Sequence, residues 1–331
     1  MTDFEQLMAY QRETSALAQV AGRLGWDQET VMPRGAAGQR SEEMAAMEAV
    51  LHERRSSARV GDWLETAQAP DAAGEAQLRD IRRAFERANK VPADLAKQIA
   101  RVTSQAQGLW AQARADEDVA AFLPVLEQVV ALKRQEGAAL ANGGDVYDAM
   151  LDDYEPGMTA VEISALFDAM RPRLVALRAA VLAQSSPRGV TGHFDEQTQM
   201  QLARRVAKVF GYDMSRGRVD KAVHPFSSGS GSDVRITTRT NGHDPFNCLY
   251  STIHEVGHAT YEQNIAPDYA LTPLGQGVSM GVHESQSRIY ENQLGRSRAF
   301  CGWLHGRMTE GFGDLGLDAE AFYAAVNRVQ N

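Results

Sequence analysis

Cysteine is scarce in this chain: Cys248 and Cys301 are the only two in 331 residues. Two thiols cannot build a disulfide framework, so both are expected to stay reduced and the fold to rest on a buried apolar core. Long apolar runs are missing too; no stretch approaches the roughly eighteen uninterrupted apolar residues of a membrane-spanning helix. Basic residues are outnumbered, 34 Lys and Arg against 43 Asp and Glu, and the net charge of -9 argues against nucleic acid as a partner. Met1-Thr2-Asp3-Phe4-Glu5-Gln6 has neither a basic n-region nor an apolar h-region, so no secretory signal is visible and a cytoplasmic location is expected. Repeats of fixed period and low-complexity tracts are absent. Ser227-Ser228-Gly229-Ser230-Gly231-Ser232 is not followed by the Lys-Ser/Thr pair that a phosphate-cradling loop requires.

What is present is helical. An apolar content of 44% is ordinary for a globular chain. Alanine is abundant and β-branched runs are few, which suits helices. Mixed apolar and charged positions at helical spacing run near 3 to 22, 37 to 53, 73 to 89, 92 to 115, 119 to 141, 159 to 184 and 195 to 211. Breaks fall at Met32-Pro33-Arg34-Gly35, Asn142-Gly143-Gly144-Asp145 and Ser185-Ser186-Pro187-Arg188-Gly189. Thr159 with Glu162 reads as a capping box, and Asp94 as part of a helix start. One segment departs from helix. Ser227 to Ser232 reads as a flexible connection, and Asp233 to Thr240 then alternates. Val234, Ile236 and Thr238 face one way and Arg235, Thr237 and Arg239 the other, as in a half-buried strand. Its edge could pair with an extended peptide, or it could be a small structural hairpin. Arg235 could contact a substrate carboxylate or simply pair with a nearby Asp.

The sharpest local signal is His254-Glu255-Val256-Gly257-His258. Two imidazoles four apart on a helix stand on one face, about 5–6 Å between Cβ atoms, which suits two ligands of one Zn²⁺. The glutamate lies roughly 100° round the helix, so it can act on a water there without competing for the metal. The alternative is a buried helix whose histidines bond backbone or carboxylate. Asp244-Pro245 supplies an N-cap and a proline at the first helical position. Phe246, Leu249, Tyr250, Ile253 and Gly257 then form an apolar stripe, with both histidines at its edge. Gly257 costs about 1 kcal/mol against alanine in a helix, which makes sense if another backbone or a ligand packs closely there. Cys248, on the same helix, is expected in the core.

Zinc wants a third protein ligand. Ser279 to Asn292 reads as a second helix, on which Glu284, Arg288 and Glu291 share a face. Glu284 with Arg288 could be only a surface ion pair worth about 0.3–0.5 kcal/mol. Yet a carboxylate on a second helix beyond the paired histidines is how glutamate-liganded zincins complete their site. Glu284 is the leading candidate, His283 a rival and Glu291 a weaker one.

Five ordered segments make the chain resemble the thermostable carboxypeptidase (carboxypeptidase Taq type) family of zinc metallocarboxypeptidases. They are Trp26-Asp27-Gln28-Glu29-Thr30-Val31-Met32-Pro33, His224-Pro225-Phe226, Asp233-Val234-Arg235-Ile236-Thr237, the paired-histidine segment, and His283-Glu284-Ser285-Gln286. The resemblance runs over essentially the whole chain. It implies a mainly α, multi-helix zincin-like metallopeptidase scaffold with a small β-sheet next to the zinc helix. It divides the chain into an N-terminal helical region over 1–217 and a zinc-binding catalytic region over 218–331, within one continuous structural unit.

By the same resemblance His254, His258 and Glu284 hold Zn²⁺ (or Co²⁺), Glu255 is the general base and His224 reaches the cleft; His224, Arg235 and His283 are the candidate substrate-binding residues. The implied activity removes single residues from peptides with a free C-terminus, and the implied assembly is a homodimer. One departure stands out. Family members continue well beyond this point, whereas Val326-Asn327-Arg328-Val329-Gln330-Asn331 stops inside a family motif. A C-terminally truncated form that keeps the zinc site but lacks part of the cleft, and is impaired or inactive, is therefore expected. Two other functions fit these residues: an oligopeptidase or peptidyl-dipeptidase on a similar scaffold, and a non-catalytic zinc-binding helical fragment.

Overall fold

A computed structural model describes residues 1–329 of the chain, so Gln330 and Asn331 of the final motif lie outside the described residues. The fold is mainly helical, as expected, and it divides into two compact units. The first comprises Met1–Tyr154 with Ile265–Gln276, the second Glu155–Asn264 with the residues from Gly277 onward. The boundary expected after residue 217 falls inside the second unit. Membership of a unit is set by packing between distant segments, and no shift in composition marks it.

The first unit holds α1 (Asp3–Thr30), α2 (Ala37–Arg55), α3 (Ala58–Thr66), α4 (Ala72–Lys90), α5 (Ala93–Ala115), α6 (Val119–Ala141) and α7 (Val146–Leu151). Thr2 and Glu5 start α1 with a capping box. Leu7, Met8, Val60, Leu64 and Ile81 form the core of α1, α3 and α4. The Trp26-to-Pro33 signature has a structural use here. Trp26 is buried, Asp27 pairs with Arg40 of α2 at 2.6 Å, and Gln28 donates to the Ser104 carbonyl of α5 at 2.9 Å. Helix α1 is thus tied by polar bonds to both neighbours.

The second unit holds α8 (Ala160–Leu182), α9 (Glu196–Val209), β1 (Val219–Lys221), β2 (Ser227–Ser230), β3 (Asp233–Thr238), α10 (Pro245–Gln263), α11 (Met280–Arg288), α12 (Arg298–Phe312) and α13 (Ala319–Val326). The Thr159–Glu162 capping box starts α8. The small sheet has order β1-β3-β2, β1 parallel to β3 with Val219 opposite Ile236, and β2 antiparallel with Ser228 opposite Arg235. One expectation is corrected. The Ser/Gly segment, read as a flexible connection, is itself strand β2. Its residues carry no alternating pattern, and backbone pairing with β3 is what makes it a strand. The alternating strand, β3, is central: β2 pairs along Asp233–Ile236 on one side and β1 along Ile236–Thr238 on the other. Gly229 sits at φ 93°, where a Cβ would overlap the Asp233 carbonyl across the hairpin, so only glycine suits the position.

Helix α10 runs between two cores. Leu249, Tyr250 and Ile253 pack with Phe194, Val206, Leu304, Met308 and Phe322. Cys248, Val256 and Ala259 pack with Ala203, Val219, Val234 and Ile236 of α9 and the sheet. Asp244 caps the helix by accepting the Phe246 N–H, with Pro245 at its first position, as expected. Burial on two faces fixes the rotation of α10 and leaves the third face, with His254 and His258, half-buried.

Candidate metal centre

The geometry begins at Gly257. A Cβ there would lie 2.5 Å from Ser287 Cα, 2.8 Å from the Gln286 carbonyl oxygen and 2.9 Å from Ser287 N. Helices α10 and α11 therefore meet backbone to backbone, the close approach that a helical glycine suggested. Ser279 caps α11 by accepting the Val282 N–H, which sets the start of the helix carrying Glu284.

That contact brings three donors together. His254 Nε2 and His258 Nε2 are 3.2 Å apart; Glu284 Oε2 is 3.5 Å from the first and 3.4 Å from the second. Tetrahedral zinc with bonds of about 2.0–2.1 Å separates its ligand atoms by roughly 3.3–3.4 Å, so the triangle fits one such ion. Two neutral imidazoles and a carboxylate are also the donor chemistry of a catalytic zinc site with one position left for water. The two oxygens of Glu284 have different partners. Its Oε1 accepts from Arg288 Nε at 2.8 Å, as an i,i+4 ion pair, while Oε2 turns to the histidines.

A second layer of acids orients the rings. His254 Nδ1 lies 2.9 Å from Glu291 Oε2, which also accepts from Arg288 at 3.1 Å. Glu291 sits in a π-helical turn, Ile289–Leu294, that continues α11; such turns commonly mark functional positions. The weaker rival ligand is thus a hydrogen-bond partner of His254. His283, the other rival, lies with its Nδ1 2.5 Å from His258 Nδ1 and its Nε2 2.9 Å from Glu262 Oε1. Glu262, on the last turn of α10, was not singled out from the sequence. Its spacing of four from His258 was the available signal, but its partner comes from another helix.

Charge is tuned accordingly. Burial, with the neighbouring His283 and His254, holds the His258 imidazole down at about 4, so it is neutral and able to ligate near pH 7. Burial opposes protonation of His254 as well, but the bond to Glu291 and the charges of Glu255 and Glu284 outweigh it and raise its pKa. Glu255 is 5% exposed. Burial pushes its carboxyl up to about 7, and Glu284 and Glu291 add to the rise against the opposing His254.

Among the described residues, none of the remaining predicted residues joins the His254, His258 and Glu284 group. His224 is exposed on the loop between β1 and β2. Arg235 pairs with Asp233 through Nε at 2.8 Å and a terminal nitrogen at 3.0 Å. Cys248 is fully buried, a core residue as expected. Among the described residues no helix is long and apolar enough to cross a membrane.

The comparisons with known proteins point the same way. The family model described as "Carboxypeptidase Taq (M32) metallopeptidase" matches residues 6–331. Thermostable carboxypeptidase 1 of Thermus thermophilus is 38% identical, covering 99% of this chain and 68% of its own length. Thermostable carboxypeptidase 1 of Pyrococcus furiosus is 31% identical over 89% of this chain, which spans 61% of that protein. The crystal structure of the M32 carboxypeptidase of Deinococcus radiodurans R1 superposes with a TM-score of 0.87 at 36% identity, covering 99% of this chain and 67% of that one. With the family model matching nearly end to end, the chain belongs to the carboxypeptidase Taq (M32) metallopeptidase family.

Proposed function

We propose that the chain is a metal-dependent carboxypeptidase acting on peptides with a free C-terminus, with Zn²⁺ as its metal. The observation that carries this is the triangle of His254 Nε2, His258 Nε2 and Glu284 Oε2, with edges of 3.2–3.5 Å, set beside the buried Glu255. Family membership supplies the reaction class. A divalent cation held by these three residues would acidify a water and polarise a carbonyl oxygen.

The chain's own residues do the rest. Glu255 has its carboxyl near 7, close to the value at which a general base works best at neutral pH. Its carboxylate takes the proton from the attacking water as the new C–O bond forms. It returns that proton to the departing amine nitrogen as the C–N bond breaks. Glu291 holds the His254 ring through Nδ1, which leaves Nε2 for the metal. Arg288 ties up Glu284 Oε1, so that Oε2 faces the histidines.

The test is product analysis on N-blocked peptides with free and with amidated C-termini, with this chain and a full-length relative side by side. Release of one free C-terminal residue, abolished by amidation, supports the reading; release of dipeptides or internal cleavage overturns it. Glu255→Gln should abolish turnover and leave zinc bound. A Glu255→Gln protein that still turned over would remove the assigned base.

A further inference from the structure

His283 and Glu262 take no part in the chemistry above, yet both are built into the centre. His283 Nδ1 meets His258 Nδ1 at 2.5 Å, across that ring from the Nε2 facing His254 and Glu284. On its other side His283 Nε2 lies 2.9 Å from Glu262 Oε1, which also accepts the Gly277 N–H at 2.8 Å. A Cβ on Gly277 would overlap the His283 ring and stand 3.0 Å from Glu262 Oε1, so the backbone closes over the pair. Glu262 is 6% exposed, and among the described residues its second oxygen, Oε2, is buried with no hydrogen-bond partner. A buried carboxylate is costly unless donors face it, so its retention here calls for a reason.

The order of protons along this chain of groups follows from the carboxylate. An ionised carboxylate only accepts, so His283 Nε2 must be the donor. A neutral imidazole with its proton on Nε2 presents a lone pair at Nδ1. His258 must then carry its proton on Nδ1, which leaves its Nε2 lone pair facing His254 and Glu284. With an ionised carboxylate at its end, each link has one donor and one acceptor only in this order.

We infer that Glu262 and His283 form a positioning relay that selects the metal-binding tautomer of His258 and holds its ring in place. This rests on the reading of His254, His258 and Glu284 as metal ligands. It gives His283 an internal role in place of the expected substrate contact. Partners of this kind behind a ligating histidine are typically worth 10–100-fold in metal affinity. The backing here is two residues deep: Glu262 acts on His258 only through His283.

That dependence is what an experiment can read. Zinc affinity is measured by competition with a chromogenic chelator for the wild type, His258→Ala, His283→Phe, Glu262→Ala, Glu262→Gln and His283→Phe/Glu262→Gln, each checked for folding by circular dichroism. His283→Phe and Glu262→Ala should each weaken zinc about 10–100-fold. Glu262→Gln, whose amide oxygen still accepts from His283, should weaken it less. Adding Glu262→Gln to His283→Phe should change nothing further, because the link is already cut. Should Glu262→Ala fail to fold, the volume-conserving Gln variant carries the cycle alone. In zinc-loaded wild type, ¹⁵N-histidine spectra should show His283 protonated at Nε2 and bare at Nδ1. Wild-type affinity in His283→Phe, additive losses in the double variant, or a proton on His283 Nδ1 would each overturn the relay. Undiminished zinc binding by His258→Ala would instead overturn the metal centre itself, which separates the two failures.

Discussion

Gly257→Ala places one methyl group at the contact that builds the centre. Its Cβ would start 2.5 Å from Ser287 Cα and 2.8 Å from the Gln286 carbonyl, whereas ordinary contacts between such atoms are about 3.5–4.0 Å. Backbone atoms cannot rotate aside, so α11 must retreat by roughly 1 Å to restore that spacing. Glu284 stands three residues before Ser287 on the same helix and moves with it. Metal–ligand distances tolerate only about 0.2 Å, so the retreat is several times what the third ligand can absorb without rearranging its own side chain. Stability should change far less. Overpacking costs about 1–3 kcal/mol, while alanine regains about 1 kcal/mol of helix propensity over glycine. The expected signature is therefore a zinc affinity at least about tenfold weaker, in a metal-free protein whose stability falls by no more than about 2 kcal/mol. Chelator competition reads the first quantity and thermal or urea unfolding of the metal-free form the second. A folded Gly257→Ala protein with zinc affinity within twofold of wild type would refute the idea that this contact sets the ligand triangle.

Other outcomes follow from the same geometry. Glu284→Gln should lose zinc affinity by chelator competition, since a neutral amide replaces the charged donor 3.4–3.5 Å from both imidazoles; unchanged affinity would leave the centre without its third ligand. Burial pushes the Cys248 thiol up to about 11 and raises Tyr212 and Tyr250 as well. All three keep their protons in the folded state at pH values where the unfolded chain has lost them. Their contribution is fully present below the unfolded pKa values and disappears as pH rises through the folded ones. Urea midpoints should thus fall progressively above about pH 9, and a flat profile to pH 11 would contradict the burial. At pH 8 Cys248 should resist a thiol reagent until the protein unfolds. Phe322→Ala empties a fully buried position that packs on Phe246 at 5.5 Å and His305 at 5.1 Å between ring centroids. It should cost about 3–5 kcal/mol by denaturant unfolding; less than 1 kcal/mol would mean that this core is not packed as described.

Much of the local architecture was legible in the chain. Asp244-Pro245 marked the start of α10, Thr159 and Glu162 that of α8, and the periodic segments fell within a few residues of observed helices. The reason is that caps and helical faces are decided by residues within a turn of one another. Helix α1, though, runs on to Thr30, past the expected end near 22, and α3 lies outside the segments of helical spacing. The resemblance implied Glu284 as a ligand; its carboxylate lies with His254 and His258 in a group that could hold a metal ion.

What stayed illegible was non-local. Glu291 bonds to His254 across 37 positions and His283 to His258 across 25. Nothing in their spacing says which acid ligates and which only supports. Strand β2 is a strand because β3 lies beside it. By itself, then, the sequence determined that two imidazoles share a helix face with a glutamate between them, because the helical period allows no other arrangement. Only the tertiary structure decided that the face becomes a centre. Two cores fix the rotation of α10, and the missing side chain at Gly257 lets α11 come close enough for Glu284 to complete the triangle.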